Sequence, residues 1–140
     1  MKTETALGSD YRPSEDDEFM SDQMKEYFRR KLLGWKVSIL AESRETVAGM
    51  QSSTRNIPDL ADRASEETDR ALELRTRDRQ RKLISKIDSA LRRIDEGSYG
   101  YCEDTGEPIS IRRLDARPIA TLSLEAQERH ERKERVYRDE

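Results

Sequence analysis

Residues 56–62 read Asn-Ile-Pro-Asp-Leu-Ala-Asp and form a short interruption between two long stretches that favour helix. Pro58 suits the first turn of a helix, because the N–H that proline lacks would have no partner there. Asp59 and Asp62 follow at positions i and i+3, so they share one face of that helix. The pattern predicts a helical hairpin whose connecting end carries negative charge.

The two helices of this hairpin have recognisable ends. Ser21 or Asp22 can cap a first helix that runs to about Ser53. The second is expected to stop near Glu96, because Gly97 favours a left-handed C-terminal conformation. Each helix has an apolar seam at heptad spacing, namely Phe28, Leu32, Trp35 and Ile39 in the first and Ile84, Ile87, Leu91 and Ile94 in the second. Both seams are densest far from the connection, which predicts an antiparallel pair with a stable base and a mobile tip at 54–64.

Composition supports elongated helices over a large core. The chain has 140 residues, of which 33% are hydrophobic and 41% charged, as suits helices that bury only a narrow seam. The formal net charge of -3 argues against a protein that coats nucleic acid. A single cysteine excludes an intramolecular disulfide, and no apolar run approaches the roughly 20 residues that span a bilayer. We expect a cytoplasmic protein without a membrane segment or signal peptide.

The remaining segments differ from the hairpin at 21–97. Residues 1–20 are polar and acidic, which predicts a flexible tail, although the acidic run at 15–18 could instead lie against a basic surface of the same chain. Residues 98–122 place aromatic and β-branched side chains between glycines and prolines, which favours turns and short strands in a small globular head. Residues 123–140 favour a last helix. The expected fold class is therefore mainly α, a long antiparallel coiled-coil hairpin with a zinc-knuckle-like head and a C-terminal helix.

The head contains a degenerate metal-binding pattern. Cys102 and Thr105, then seventeen residues, then Ser123 and Ala126 have the spacing of a C-x2-C-x17-C-x2-C zinc site. Three of the four sulfurs are absent, and threonine, serine and alanine do not replace thiolate ligands. The residues alone favour an ordinary thiol at Cys102. A second interpretation is a metal site assembled from Cys102, Glu103, Asp104 and His130.

The stretch from Tyr99 to Pro118 resembles the zinc-knuckle head of the DksA family, bacterial transcription factors that bind RNA polymerase. The likeness extends through residues 72–87 and 58–64, and covers about residues 20–138. One of the family's four cysteine positions is kept, so the chain resembles the cysteine-poor members. A structural zinc contributes about 10–16 kcal/mol to folding, so apolar packing must replace it here, and no bound zinc is expected. The candidates for this packing are Tyr99, Tyr101, Ile109, Ile111, Leu114, Ile119, Leu122 and Leu124.

The resemblance implies a function for the tip. The family's D-x-x-D-x-A signature matches here at Asp59, Asp62 and Ala64. In that family the hairpin enters the secondary channel of RNA polymerase and brings the tip near the catalytic centre, where it modulates transcription initiation. We therefore expect a regulator and not an enzyme. Without the resemblance, the two carboxylates would be read as compensation of the helix dipole.

The resemblance also implies a nucleotide co-regulator. Lys86 and Arg117 match family positions that help to bind the alarmone guanosine tetraphosphate (ppGpp) at the polymerase interface. A further basic position of the family is Gln127 here, so that site is either weaker or completed by Arg129. Without the family match, Lys86 and Arg117 would be ordinary surface ion pairs. Arg79 and Arg113 are further candidate contacts with polymerase.

Three other functions remain open from the residues. A coiled-coil adaptor would dimerise or dock on another partner. An accessory factor of the Gre type would stimulate transcript cleavage, since paired carboxylates can share a divalent cation with an active site. A metal-dependent DNA-binding finger is disfavoured by the missing sulfurs and the acidic balance. The expectation is a monomer that binds polymerase and ppGpp, without specific DNA binding and without a membrane.

Overall fold

The computed structural model describes residues 10–53 and 60–138. Their helices are α1 (Asp22–Ser53), α2 (Leu60–Glu96), α3 (Ile111–Ala116) and α4 (Leu124–Arg138). The predicted mainly α class is confirmed. Two compact units form, one from the described residues up to Leu32 together with those from Ser89 onward, and the other from Leu33–Asp88. No described helix combines the length and the apolar character needed to cross a membrane.

The unit Leu33–Asp88 consists of an α1 segment and an α2 segment that run antiparallel. Lys36 of α1 forms an ion pair with Asp88 of α2 at 2.7 Å. Further along α1, the Glu42 carboxylate accepts a hydrogen bond from the side-chain amide of Gln80, on α2, at 3.4 Å. The α1 residue number therefore rises as the α2 number falls. Ile39 and Ile87 are buried in the seam as predicted, whereas Gln80 places a polar side chain there that is 7% exposed.

The other unit has the larger apolar core. Tyr99 is its largest fully buried side chain, and its hydroxyl donates to the carbonyl of Pro118 at 2.7 Å. The Phe28 ring lies 5.6 Å from the Tyr99 ring, centroid to centroid. Other members of this core come from all four described helices and the intervening loops, namely Met24, Leu32, Ala90, Ile94, Ile109, Ile111, Leu114, Ile119 and Ala126. Of the predicted heptad residues, Phe28, Leu32 and Ile94 thus contribute to this core, whereas Trp35, Ile84 and Leu91 are only partly buried.

The predicted short strands of the head are largely wrong. Among residues 98–122 the structure has an isolated antiparallel bridge between Tyr101 and Pro108, and then the short helix α3. Ser110 caps α3, because its hydroxyl accepts a hydrogen bond from the N–H of Arg113 at 3.2 Å. The alternation of isoleucines at 109 and 111 reads as a strand in sequence, but the serine between them starts a helix.

Two of the eight apolar residues expected to fill the head are exposed. Tyr101 is 39% exposed and Leu124 is 54% exposed. Tyr101 packs by its edge against Phe19, with ring centroids 5.2 Å apart, so it covers the N-terminal segment and not the centre of the head. Leu124 is the first residue of α4, and its side chain faces away from the core.

The acidic part of the predicted tail is anchored. Ser14 and Asp17 close a turn in which the N–H of Asp17 bonds the carbonyl of Ser14 at 3.1 Å. The Glu15 carboxylate accepts hydrogen bonds from the N–H groups of Ile111 at 2.8 Å and Arg112 at 3.4 Å. These are unpaired donors at the start of α3, which carboxylates stabilise. Glu15 therefore contacts the N-terminus of α3, whereas the alternative prediction for this acidic run was contact with a basic surface.

The end of the tail is held by apolar contacts. Met20 is 8% exposed and adopts a positive φ of 52°, an unusual conformation for a residue other than glycine. Phe19 and Met20 lie over Gly100, where a Cβ would approach their side chains to 3.0 and 2.8 Å. The flexible-tail prediction is thus wrong for residues 10–20, since Phe19 and Met20 supply apolar surface that offsets the ordering entropy. Residues 1–9 lie outside the described part of the chain.

Candidate functional site

The four residues at the degenerate zinc spacing come together in the head. The Cys102 sulfur accepts from the backbone N–H of Ser123 at 3.3 Å and lies 3.7 Å from the Ser123 hydroxyl. That hydroxyl accepts from the N–H of Ala126 at 3.2 Å and so caps α4. Ala126 is fully buried, and the Thr105 side chain contributes a hydrogen bond to the Cys102 thiol. Cys102, Ser123 and Ala126 are therefore neighbours in the structure.

The Cys102 thiol is unusually acidic. Burial raises its pKa, but hydrogen bonds from the Thr105 side chain and from the backbone of Ser123, Thr105 and Asp104 outweigh burial and bring the pKa down from 9.0 to about 6. The same chemistry does not suit zinc. One sulfur, two hydroxyls and a methyl group are a poor substitute for the four thiolate or imidazole ligands that tetrahedral zinc requires.

The alternative metal site at the head does not assemble. His130 approaches Asp104 at 2.7 Å, between its Nε2 and a carboxylate oxygen, whereas Glu103 lies 3.8 Å from Arg93. Among the residues that the structure describes, no group of three or more histidine, cysteine, aspartate or glutamate side chains could hold a metal ion. Asp104 and His130 instead connect the knuckle loop to α4.

A polar cluster joins α1 to α3. Asp115 accepts from the Tyr27 hydroxyl at 2.6 Å and from the Lys31 ammonium at 2.6 Å, and Lys31 also donates to the Asp115 carbonyl at 2.6 Å. The cluster borders a polar cleft of about 490 Å³ whose other lining residues are Asp10, Tyr11 and Arg12. Sequence reasoning missed it, because its members are more than 80 residues apart and belong to no periodic pattern.

Contacts within this cluster shift the pKa values of Asp115 and Tyr27. Burial raises the pKa of Asp115, but the hydrogen bonds from Lys31 and Tyr27 and the charge of Lys31 outweigh burial, so the pKa falls below its usual 3.8. Burial and the bond to Asp115 raise the pKa of Tyr27 to about 12. Tyr27 therefore stays a neutral donor, and Asp115 stays an ionised acceptor, throughout the physiological range of pH.

We expect Asp115→Asn to destabilise the protein by roughly 1–2 kcal/mol at pH 7. This cost is smaller than that of a fully buried ion pair, because Lys31 and Asp115 are partly exposed to solvent. The folded pKa of Asp115 is depressed, so its carboxylate stabilises the fold above about pH 4 and loses that effect as pH falls through the folded value. In urea unfolding, the difference in free energy of unfolding between wild type and variant should be smaller at pH 3 than at pH 7. Asp88→Asn, which removes the exposed partner of Lys36, is the control and should cost at most about 0.5 kcal/mol. A pH-independent difference would contradict the assignment.

The basic candidates differ in their availability. Lys86 and Arg79 are exposed on α2 within the unit Leu33–Asp88, and Arg117 is exposed at the end of α3 in the other unit. Arg113 is partly buried, because its Nε donates to the Leu122 carbonyl at 2.8 Å and so serves the head.

The last helix supplies the other two positions. Gln127 is half-buried and its amide donates to Glu131 at 3.3 Å, one turn further along α4. Arg129 is exposed on the same helix. An uncharged amide that bonds its own helix thus stands at the position where the resemblance implies a basic residue.

The tip is only partly described. Asp59 lies outside the described residues. Asp62 is part of α2, but the structure describes only its backbone and not its side chain. Ala64 is exposed in the first turns of α2, and its carbonyl accepts from the Thr68 hydroxyl at 3.0 Å. The direction of the two carboxylates therefore stays a prediction.

Comparison with known proteins covers the whole chain. The family profile described as DnaK suppressor protein DksA, N-terminal domain, matches residues 24–94, and the one described as prokaryotic dksA/traR C4-type zinc finger matches residues 97–132. RNA polymerase-binding transcription factor DksA of Caulobacter vibrioides (strain NA1000 / CB15N) is 70% identical over 142 residues, covering 100% of both chains. Its namesake of Escherichia coli (strain K12) is 43% identical, covering 82% of this chain and 76% of its own. The solved structure of transcription factor DksA2 from Pseudomonas aeruginosa matches with a TM-score of 0.77 at 42% identity, over 84% of this chain and 90% of that one.

Proposed function

The chain belongs to the DksA family, and from this premise we propose that it regulates transcription by binding bacterial RNA polymerase directly. The observation that carries the proposal is the full-length 70% identity to a relative named as an RNA polymerase-binding transcription factor. The antiparallel packing of α1 on α2 and the helical head agree with such a binding role. The protein acts as a monomer in the cytoplasm and catalyses no reaction of its own.

The hairpin tip is proposed to act inside the secondary channel of polymerase. A helical hairpin extends far from its base at 1.5 Å per residue, and α2 alone has 37 residues. Asp59, Asp62 and Ala64 match the family signature at the connecting end. Carboxylates delivered near the catalytic centre would act on its basic residues by charge, because charges interact strongly where water is scarce.

The alarmone ppGpp is proposed as co-regulator in the complex with polymerase. Lys86 and Arg117 are both exposed. The Lys ammonium binds phosphate as a compact positive charge, and the planar Arg guanidinium binds it through two parallel hydrogen bonds. Because Gln127 is uncharged and bonds Glu131, one contact of the family site is missing. Lys86→Gln and Arg117→Gln should each weaken the response to ppGpp while leaving the response without ppGpp unchanged.

The binding proposal is tested with purified core polymerase. The protein is labelled with a fluorophore, titrated with core enzyme, and photo-crosslinked from a reactive residue introduced at position 64. We expect saturable binding and a crosslink to a polymerase subunit. Absence of saturable binding would overturn the proposed function. Saturable binding without a crosslink from position 64 would overturn the role assigned to the tip.

A head that folds without zinc is part of the proposal. Incubation with a strong chelator should leave the melting temperature unchanged, because Tyr99, Ile109 and Leu114 fill the core and the sulfur of Cys102 is satisfied by hydrogen bonds. A clear drop would contradict it. The control is the triple variant Thr105→Cys, Ser123→Cys, Ala126→Cys, which places four sulfurs at converging positions and should gain both zinc and sensitivity to chelator.

A further inference from the structure

The backbone around Arg117 is held by hydrogen bonds, although the Arg117 side chain is exposed. Arg117 is the C-cap of α3, and its N–H donates to the Arg113 carbonyl at 2.8 Å. Its own carbonyl accepts from the N–H of Ala120 at 3.0 Å, and the Pro118 carbonyl accepts from the buried Tyr99 hydroxyl at 2.7 Å. Within the described part of the chain, the Arg117 guanidinium forms no hydrogen bond or ion pair. An available side chain thus stands on an ordered backbone.

A further contact with this segment comes from α1. The Lys31 ammonium donates to both the carbonyl and the carboxylate of Asp115, each at 2.6 Å, two residues before Arg117. The Asp115 carbonyl is one of the last four of α3, which have no acceptor role within their own helix. Lysine side chains commonly bond such carbonyls, because positive charge is favoured at a helix C-terminus. Lys31 therefore fixes the end of α3 to α1.

Helix α3 depends on contacts of this kind. It has six residues, which is fewer than two turns, and an isolated helix of that length is unstable in water. Ser110 caps its start, and the fully buried Leu114 anchors its middle in the core of the head. At its last turn, Lys31 and Tyr27 bond Asp115. Loss of the Lys31 contact is therefore expected to loosen the end of α3 and leave its start in place.

We propose that Lys31 is a positioning residue for ppGpp, because it holds the end of α3 so that Arg117 presents its guanidinium to a phosphate group. This inference rests on the proposed function, in which Arg117 binds ppGpp in the complex with polymerase. The two parallel hydrogen bonds of an arginine to phosphate depend on direction. Groups that bind in this way must be held within about 0.5 Å of the productive geometry. Lys31 itself does not contact the nucleotide, since its ammonium is occupied by Asp115.

The test measures the ppGpp bound by the complex of polymerase and this protein, after subtraction of the ppGpp that polymerase binds alone. Lys31→Met removes both hydrogen bonds to Asp115 and keeps a long unbranched side chain. It should weaken ppGpp binding at least about fivefold, and change the affinity for polymerase without ppGpp less than about twofold. The matched control is Arg30→Met, which removes the same charge from the neighbouring residue. Arg30 is exposed and pairs with Glu26 of the same helix at 3.1 Å, so its loss should change neither quantity.

A double-mutant cycle separates positioning from an independent contribution of Lys31. In protein that carries Arg117→Gln, no guanidinium is left to position, so adding Lys31→Met should change ppGpp binding less than about twofold. The titration extends to ppGpp concentrations that saturate this weaker site. A further loss as large as the one seen with Arg117 in place would overturn the proposal, because Lys31 would then act without Arg117.

A second variant tests the same idea and leaves Lys31 and Asp115 in place. Ala116→Gly replaces the exposed last residue of α3 and adds backbone freedom directly before Arg117. It should weaken ppGpp binding at least about threefold and leave the melting curve of the head nearly unchanged. If circular dichroism shows that Lys31→Met does not fold, Ala116→Gly decides the question, and wild-type ppGpp binding by this variant would overturn the proposal.

The outcomes distinguish this inference from the function on which it rests. If wild-type protein binds polymerase but adds no ppGpp binding, the proposed role of ppGpp falls, and the positioning role of Lys31 falls with it. If wild-type protein adds ppGpp binding that is lost in Arg117→Gln but kept in Lys31→Met, the proposed function stands and the inference about Lys31 is wrong.

Discussion

Gly100→Ala is expected to destabilise the protein by about 2–3 kcal/mol, a combination of backbone strain and overpacking. Gly100 has a φ of +89°, which side chains with a Cβ rarely adopt. The added methyl would lie 2.8 Å from the Met20 side chain and 3.0 Å from the Phe19 ring. Both side chains belong to the N-terminal segment that packs on the head, so the added methyl would push against that contact.

The matched control for this prediction is Gly106→Ala. Gly106 has a similar φ of +74°, but nothing lies within 4 Å of the added Cβ, so only the strain remains, about 1 kcal/mol. Urea unfolding measures both costs. Limited proteolysis supplies a second readout, because Gly100→Ala should expose residues 10–20 to cleavage whereas Gly106→Ala should not. Equal costs for the two variants would show that the contact with Phe19 and Met20 contributes nothing.

The periodic parts of the fold could be predicted from the sequence. Phe28, Leu32 and Ile87 recur at heptad spacing and are buried as expected, because helix packing depends on a repeated local pattern. Gly97 ends α2 with a φ of +84°, as its position after Glu96 indicates. The grouping of Cys102 with Ser123 also follows from sequence, since the spacing of a lost metal site still records which residues meet.

The non-periodic contacts could not be predicted. Glu15 reaches the start of α3 across 96 residues of sequence, and Tyr27 reaches Asp115 across 88. Such pairs depend on where the chain folds back, and no local propensity encodes that. The acidic run around Glu15 therefore resembled a disordered tail, since its composition is that of one. A helix cap that comes from a distant part of the sequence can be predicted only when the three-dimensional packing of the core is known.

The head around Cys102 is stabilised by several kinds of contact. With one sulfur left, the head gains its stability from apolar packing around Tyr99 and from hydrogen bonds that satisfy the thiol. The N-terminal segment adds a further layer through Phe19, Met20 and the Glu15 cap. Residues 10–20 are therefore part of the packed head, and a truncation that removes Glu15, Phe19 and Met20 is expected to destabilise it.

Asp59→Asn and Asp62→Asn are expected to abolish the effect of the protein on promoters with short-lived open complexes while changing its affinity for polymerase less than about twofold. Asparagine keeps the shape of aspartate and removes its charge, so any contact made by shape survives. The helix loses at most about 1 kcal/mol of dipole compensation, too little to unfold a helix of 37 residues. In-vitro transcription and polymerase titration with the same preparations measure the two effects.

Asp69→Asn is the control for charge removal, because Asp69 is exposed two turns further along α2 and outside the tip. It should leave both regulation and binding unchanged. This expected separation of binding from regulation follows from the proposal that the head and the base of the helices provide the affinity, whereas a few charges at the tip provide the regulatory effect. Parallel loss of affinity and regulation in the tip variants would mean that Asp59 and Asp62 anchor the complex, and the division of roles between head and tip would be wrong.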